Sequence, residues 1–132
     1  MFEGETENVA LARRLPALLL DATSDPFEIA HPEVEFIPSP LETTVFRGPG
    51  EFASAVRDIH HIFDERQFEI REVRDLGDTV LLFTRVQARM RKSGVPLDAP
   101  AGFLIRIEDG KVRYCKVFPD KEATLAAAGL SE

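Results

Sequence analysis

From Arg66 to Phe118 the chain carries four long strand-like stretches joined by short turns: "RQFEIREVRD" (66–75), "DTVLLFTRVQARMR" (78–91), "APAGFLIRIE" (99–108) and "KVRYCKVF" (111–118). Leu76-Gly77-Asp78 and Glu108-Asp109-Gly110 are hairpin-type turns, and "KSGVP" is a somewhat longer one. A run of adjoining hairpins commits this half of the chain to an antiparallel sheet with one apolar face. That face has to be covered, and the helical segments that precede it are the material available. The expected fold is α+β: a cone-shaped, strongly curved antiparallel or mixed sheet wrapped around N-terminal helices. A cone with one open end implies a pocket. Residues 1–132 read as a single domain with an ordered core of about 6–130.

The first half supplies the helices. Residues 1–5 read as a loose tail. From Thr6, "TENVALARRLPALLLDA" is helical, with Val9, Ala12, Leu15, Pro16 and Leu19 on one side. Pro16 lacks a backbone donor and is expected to kink the helix or divide it near Leu15. In "SDPFEIAHP" Asp25 can cap, Pro26 fits the first helical position and Glu28 completes a capping box, giving a short helix stopped by His31-Pro32. "EVEFI" (33–37) reads as a half-buried strand, and a short second strand is expected around Thr44–Arg47. "GPGEFASAVRDIHHIF" gives a third helix whose apolar stripe is Phe52, Val56, Ile59 and Phe63. A last helix runs from about Lys121 to Ala128, with Asp120 at its cap and Gly129 at its end.

Hydrophobic residues make up 44% and charged residues 30%, the composition of a globular chain rather than a disordered one. The net charge of −7 repels nucleic acid and anionic lipid, so neither a nucleic-acid partner nor a membrane is expected. "MFEGETENVA" lacks the basic flank and apolar stretch of a signal peptide, and no run approaches the ~20 apolar residues of a spanning helix. A cytoplasmic location is the expectation. The one cysteine, Cys115, excludes an intrachain disulfide and a cysteine metal cluster, and its strand position suits a buried small hydrophobe. No metal or cofactor is expected.

Three phrases, "FRGPGEF", "VRDLGDTVLLFTRVQARMRKSG" and "IRIEDGKVRYCKVFPDKEATLAAAGL", carry a resemblance that spans Glu7 to Leu130. In their order and spacing the chain resembles the nuclear transport factor 2-like superfamily, in its SnoaL-like and ketosteroid isomerase-like branch. That superfold hosts enzymes, ligand carriers and interaction modules alike. In the ketosteroid isomerases an acid on the first strand moves a proton, while a tyrosine and a protonated aspartic acid stabilise the oxyanion. The matching positions here hold Phe36 and Phe103, and the only tyrosine is Tyr114, outside the first helix. The polyketide cyclases' pocket Asp or His finds no Asp at the matching strand. The Asp-Arg-Asp set of limonene epoxide hydrolase-like members is not matched either: Arg85, Arg89 and Arg91 have no strand with two acids to face them.

Among the residues themselves, the histidines suit proton transfer near neutrality. At 100° per residue, His61 points away from the apolar stripe, whereas His60 lies about 80° from Phe52 and can border a pocket or be a hydrogen-bonded structural residue. His31, before a proline at a helix end, suits capping of the helix dipole. In strand 78–91, Val80, Leu82, Thr84, Val86, Ala88 and Met90 share one face. If that face is inward, Arg85, Arg89 and Arg91 face solvent or a second copy; the inverted register would build a cationic pocket for a carboxylate. Asp120 either caps its helix or, at a strand end near the pocket mouth, touches a ligand. Phe36, Phe63, Met90, Phe103, Ile105, Cys115 and Val117 would line the pocket, or fill the core and leave none.

Two functions follow. In one, the chain binds a small apolar molecule and, as an isomerase- or cyclase-type enzyme, transfers a proton at a hydrophobic carbonyl compound through His60 or Asp120. In the other it is a non-enzymatic ligand-binding or dimerisation module. In either case a homodimer is expected through the outer sheet face, with Phe83, Arg85, Gln87 and Tyr114 as candidates.

Overall fold

The computed structural model describes residues 5–20, 25–38 and 44–130. Among these the chain runs α1 (Glu7–Leu20), a 3-10 turn (Pro26–Glu28), β1 (Ala30–Ile37), β2 (Phe46–Arg47), α2 (Gly48–Ile62), β3 (Phe63–Asp75), β4 (Thr79–Met90), β5 (Pro96–Glu108), β6 (Lys111–Phe118) and α3 (Lys121–Ala127). The strands form one curved sheet in the order β2-β1-β6-β5-β4-β3. Neighbours are antiparallel except β1 and β6, which are parallel, so the sheet is mixed. This is the expected α+β cone.

α1 and α2 cover the inner face. Val9, Ala12, Leu15, Leu18 and Leu19 from α1 and Phe52, Ala55 and Val56 from α2 join one core with Val34, Phe36, Val80, Leu82, Phe103, Ile105 and Val112. α1 passes through Pro16 as one helix rather than dividing there, with Pro16 on its buried side. The expected end near Ala22 lies outside the described residues, as does most of the loop before β2. No helix among the described residues is long and apolar enough to cross a membrane.

Two boundaries differ from the sequence reading. Asp25 does cap, its Oδ1 accepting from the Phe27 N–H at 2.9 Å, but the helix is a single 3-10 turn. His31-Pro32 do not stop it; they lie inside β1. Proline is tolerated there because the β1–β6 ladder is irregular between Ala30 and Glu35, where its missing N–H is not needed. Phe63 opens β3 instead of closing the α2 stripe, its extended backbone ending the helix.

β3 shows how the inner face is kept apolar. Phe63 pairs with Met90, while Phe68 and Ile70 pair with Val86 and Thr84, and Val73 with Leu82. Those positions do not share one parity, so strict alternation would turn some of them outward. Register shifts between Asp64 and Gln67 and between Ile70 and Glu72 each insert one residue and restore the face. Phe68, Ile70 and Val73 consequently pack on the core. Glu65, in the first bulge, adopts φ 53°, where glycine is the usual occupant.

β4 places Val80, Leu82 and Thr84 inward as expected. Its other face is not simply solvated. Leu81 and Phe83 form a second buried cluster with Leu104 and Leu125, beneath α3. Phe83, expected on a dimer surface, is instead covered within the chain at 6% exposure. α3 sits so close that a Cβ at Gly102 would lie 1.8 Å from Thr124 Oγ1. The turn feeding β6 has φ 53° at Asp109 and 72° at Gly110, the two left-handed residues that a tight hairpin of this twist requires.

Candidate functional site at the ends of the two inner helices

An α-helix leaves its last carbonyls without intrahelical donors. The last turns of α1 and α2 meet near the start of β3 and the end of β4, and side chains satisfy several of those carbonyls. His60 Nε2 lies 3.1 Å from the Leu18 carbonyl. A carbonyl only accepts, so Nε2 carries the proton, and in the neutral ring Nδ1 is then a bare lone pair. His60 is only 9% exposed, and Nδ1 is buried without a hydrogen-bond partner.

Arg66 enters from the first β3 bulge. Its Nη1 donates to the Phe63 carbonyl at 3.1 Å and reaches the Ile59 carbonyl at 3.5 Å, while Nη2 reaches the Leu20 carbonyl at 3.5 Å. Its Nε is buried with no partner. Among the described residues no carboxylate pairs with it. Arg91 closes the same end, donating from Nη2 to the His60 carbonyl at 3.0 Å and pairing through Nε with Asp64 at 2.8 Å.

The expected lining divides. Phe36, Phe103, Ile105, Cys115 and Val117 are packed in the core and line neither of the two surface grooves. Phe36 meets Phe52 edge-on at 5.1 Å, and Phe103 meets Phe68 at 6.0 Å. Burial pushes the Cys115 thiol far above its ordinary range, as expected of an inert small hydrophobe. Phe63 and Met90 leave the set. They are register partners at the free end of the sheet, Phe63 half-buried and Met90 39% exposed. Asp120 does not approach His60: it is exposed on the α3 side of the sheet, where Oδ1 accepts from the Ala123 N–H at 2.8 Å. That is a helix cap.

The arginines of β4 point outward and find acids that the sequence reading did not place opposite them. Arg85 pairs with Asp98 at 2.7 Å, and Arg89 with Glu65 at 2.9 Å. The Arg85 guanidinium, then the Gln87 amide, hold the Asp98 carboxyl below the usual range. Beside this pair runs a polar groove of about 490 Å³ on the outer face, lined by Gln67, Glu69, Arg71, Arg85, Gln87 and Asp98. A second groove, of about 590 Å³, lies at the free ends of the strands and includes Arg66, Ala88, Pro96 and Leu97.

One cluster has the composition of a metal site: His31, Glu108 and Asp109. His31 is buried, and Nδ1 accepts from the Glu33 N–H at 2.9 Å. Nε2 therefore bears the proton of the neutral ring and donates toward Glu108 Oε2 at 3.2 Å. A metal on Nε2 would need the proton moved to Nδ1, against the Glu33 N–H. The arrangement is a hydrogen-bonded tie between β1 and the β5–β6 turn, and does not fit a metal. It also replaces the expected dipole-capping role of His31.

The sequence from residue 12 to 115 matches the family model for the SnoaL-like domain. The chain belongs to the SnoaL-like domain family. No curated protein matches it. Among solved structures, the SnoaL-like chain is similar to a protein named as a SnoaL-like polyketide cyclase from Jannaschia sp. CCS1, at 21% identity and TM-score 0.77, covering 100% of this chain and 98% of the other. A hypothetical protein of ketosteroid isomerase-like fold from Catenulispora acidiphila, in complex with trimethylamine, aligns at 12% identity and TM-score 0.73 over 92% of this chain and 93% of that one. TerC co-crystallised with polyporic acid aligns at 16% identity and TM-score 0.72 over 95% and 98%. At these identities the likeness is one of fold.

Arg66 is the residue that sequence reasoning passed over. The signal was present: Phe68 and Ile70 are apolar, and Arg66 shares their parity. Counting back from them by twos puts this cation on the inner side.

Proposed function

We propose that this SnoaL-like domain binds a small, mostly apolar molecule at the open end of its cone and moves a proton at a carbonyl-like centre, with His60 as the base. The observation that carries this reading is the buried Nδ1 lone pair of His60, held in one tautomer by the Leu18 carbonyl and left without a partner. A base whose lone pair is already free of competing donors is ready to accept a proton from a bound compound. The neighbours in complex with trimethylamine and with polyporic acid support a ligand-binding role for the fold. The test is deuterium uptake at the carbon next to the carbonyl of hydrophobic ketones, followed by NMR. His60→Gln should lower that exchange by about 10²–10⁴-fold while leaving ligand-induced melting shifts in place. Exchange that is equal in both proteins would sink the assignment of His60.

A second reading, a module without catalysis, is favoured by Phe36 and Phe103, which fill the positions of the ketosteroid isomerase acids with core aromatics. A melting panel of ketones, lactones and carboxylic acids that leaves the transition unmoved would favour it. Under both readings a second copy would cover the part of the outer face that α3 leaves bare, around Arg85, Gln87 and Asp98.

A further inference from the structure

At the end of α1, His60 bonds to the Leu18 carbonyl and Arg66 reaches the Leu20 carbonyl, along with those of Ile59 and Phe63, and each side chain keeps one buried polar atom unused: Nε–H on the guanidinium and Nδ1 on the imidazole. A guanidinium held among carbonyls, with no carboxylate opposite among the described residues, is an arrangement that an incoming anion improves. The surroundings say what else that anion should carry. The groove beside Arg66 is lined by Ala88, Pro96 and Leu97 together with Glu65, Gln67, Gln87 and Asp98, and its two carboxylates are paired, Glu65 with Arg89 and Asp98 with Arg85. Ile62, Met90, Val95 and Leu97 stand 46%, 39%, 53% and 37% exposed at the same end of the sheet. Met90 bonds to Val95 and Arg91 to Ile62 through the main chain, which gathers these side chains into one apolar rim.

We infer that this end of the domain takes the carboxylate of an apolar acid, with Arg66 Nε and His60 Nδ1 as the two donors and the apolar rim holding the hydrocarbon. The inference rests on the open end being a ligand site and names the class of ligand. Nδ1 donates only when the ring is doubly protonated, so a bound carboxylate draws a proton onto His60. Nε2 keeps its bond to the Leu18 carbonyl in that state. Among the described residues at this end, Arg91 pairs with Asp64 and Glu65 with Arg89. α1 brings no basic residue in its last turn.

Calorimetry with 2-naphthoate and with the matching methyl ketone, 2-acetonaphthone, tests this on the full chain. Naphthoate should bind more tightly than the ketone and take up as much as one proton per site when buffers of different ionisation enthalpy are compared. Arg66→Gln should weaken naphthoate by about tenfold to a hundredfold and the ketone by distinctly less; Arg66→Lys, which keeps the charge, controls for misfolding and should lose less naphthoate affinity than Arg66→Gln. Ketone binding without naphthoate binding would overturn the carboxylate assignment and leave the apolar site standing. Naphthoate binding that is indifferent to Arg66 would overturn it too. Neither compound binding would overturn the ligand site itself.

Discussion

Three residues are held by their surroundings in ways that substitution should expose. Gly102 is glycine because α3 leaves no room for more, a Cβ there meeting Thr124 Oγ1 at 1.8 Å. Gly102→Ala should cost about 1–3 kcal/mol in denaturant unfolding. Adding Thr124→Ala should recover part of that loss, since it removes Oγ1 and Cγ2 but leaves Cβ at 2.8 Å. Cys115 is fully buried, with its thiol raised by burial. It should therefore resist alkylation at pH 8 in the native protein and react on unfolding, so its labelling rate reports opening of the core. His31 is the contrasting case. Its residue type and its acidic neighbours suggest a ligand, yet a single backbone N–H decides which nitrogen has the proton. That detail depends on where Glu33 falls in β1, and nothing in the local sequence reports it.

At the scale of elements, α3 is fastened by a cap and a charge cluster. Asp120→Ala frees the Ala123 N–H and should cost about 1 kcal/mol, read as faster amide exchange in α3 before the rest of the domain. Lys121 donates to Glu72 at 2.8 Å and lies over the Phe83 ring at 5.3 Å. Hydrogen bonds from Lys121, then Arg74, hold the Glu72 carboxyl below its ordinary value. A carboxyl lowered on folding contributes stability above its unfolded value and loses it as pH falls through the lowered one. The stability difference between the parent and Glu72→Gln should therefore be present at neutral pH and vanish below the ordinary carboxylate range. Turn chemistry made the hairpins and the Asp120 cap legible, because each depends on residues adjacent in sequence. The seat of α3 was not legible. Leu81 and Phe83 alternate with a stronger apolar set, and only the folded chain shows that both faces of β4 are buried at that end. The β3 face was hidden for the same reason, since its apolar residues change parity at the bulges. In the candidate site, periodicity brought His60 to the edge of the buried face. Its free lone pair needed the Leu18 carbonyl from 42 residues away to become visible.

For the whole molecule, α3 divides the outer face into a covered half and a bare one. If a second copy pairs there, Arg85→Glu should set like charges against Asp98 and shift sedimentation toward the monomer; an unchanged sedimentation coefficient would place the contact elsewhere. The two bulges of β3 carry a different consequence. Each is one residue of surplus length in a strand whose partner runs straight past it. Deleting Glu65 would leave Arg66 opposite Ala88 and keep Phe63, Phe68 and Ile70 facing inward. The strand would be shorter by one and still in register. Relatives can therefore differ in length at this point while their interiors remain the same, so a gap in an alignment here marks a change at the mouth of the cone rather than a change of fold.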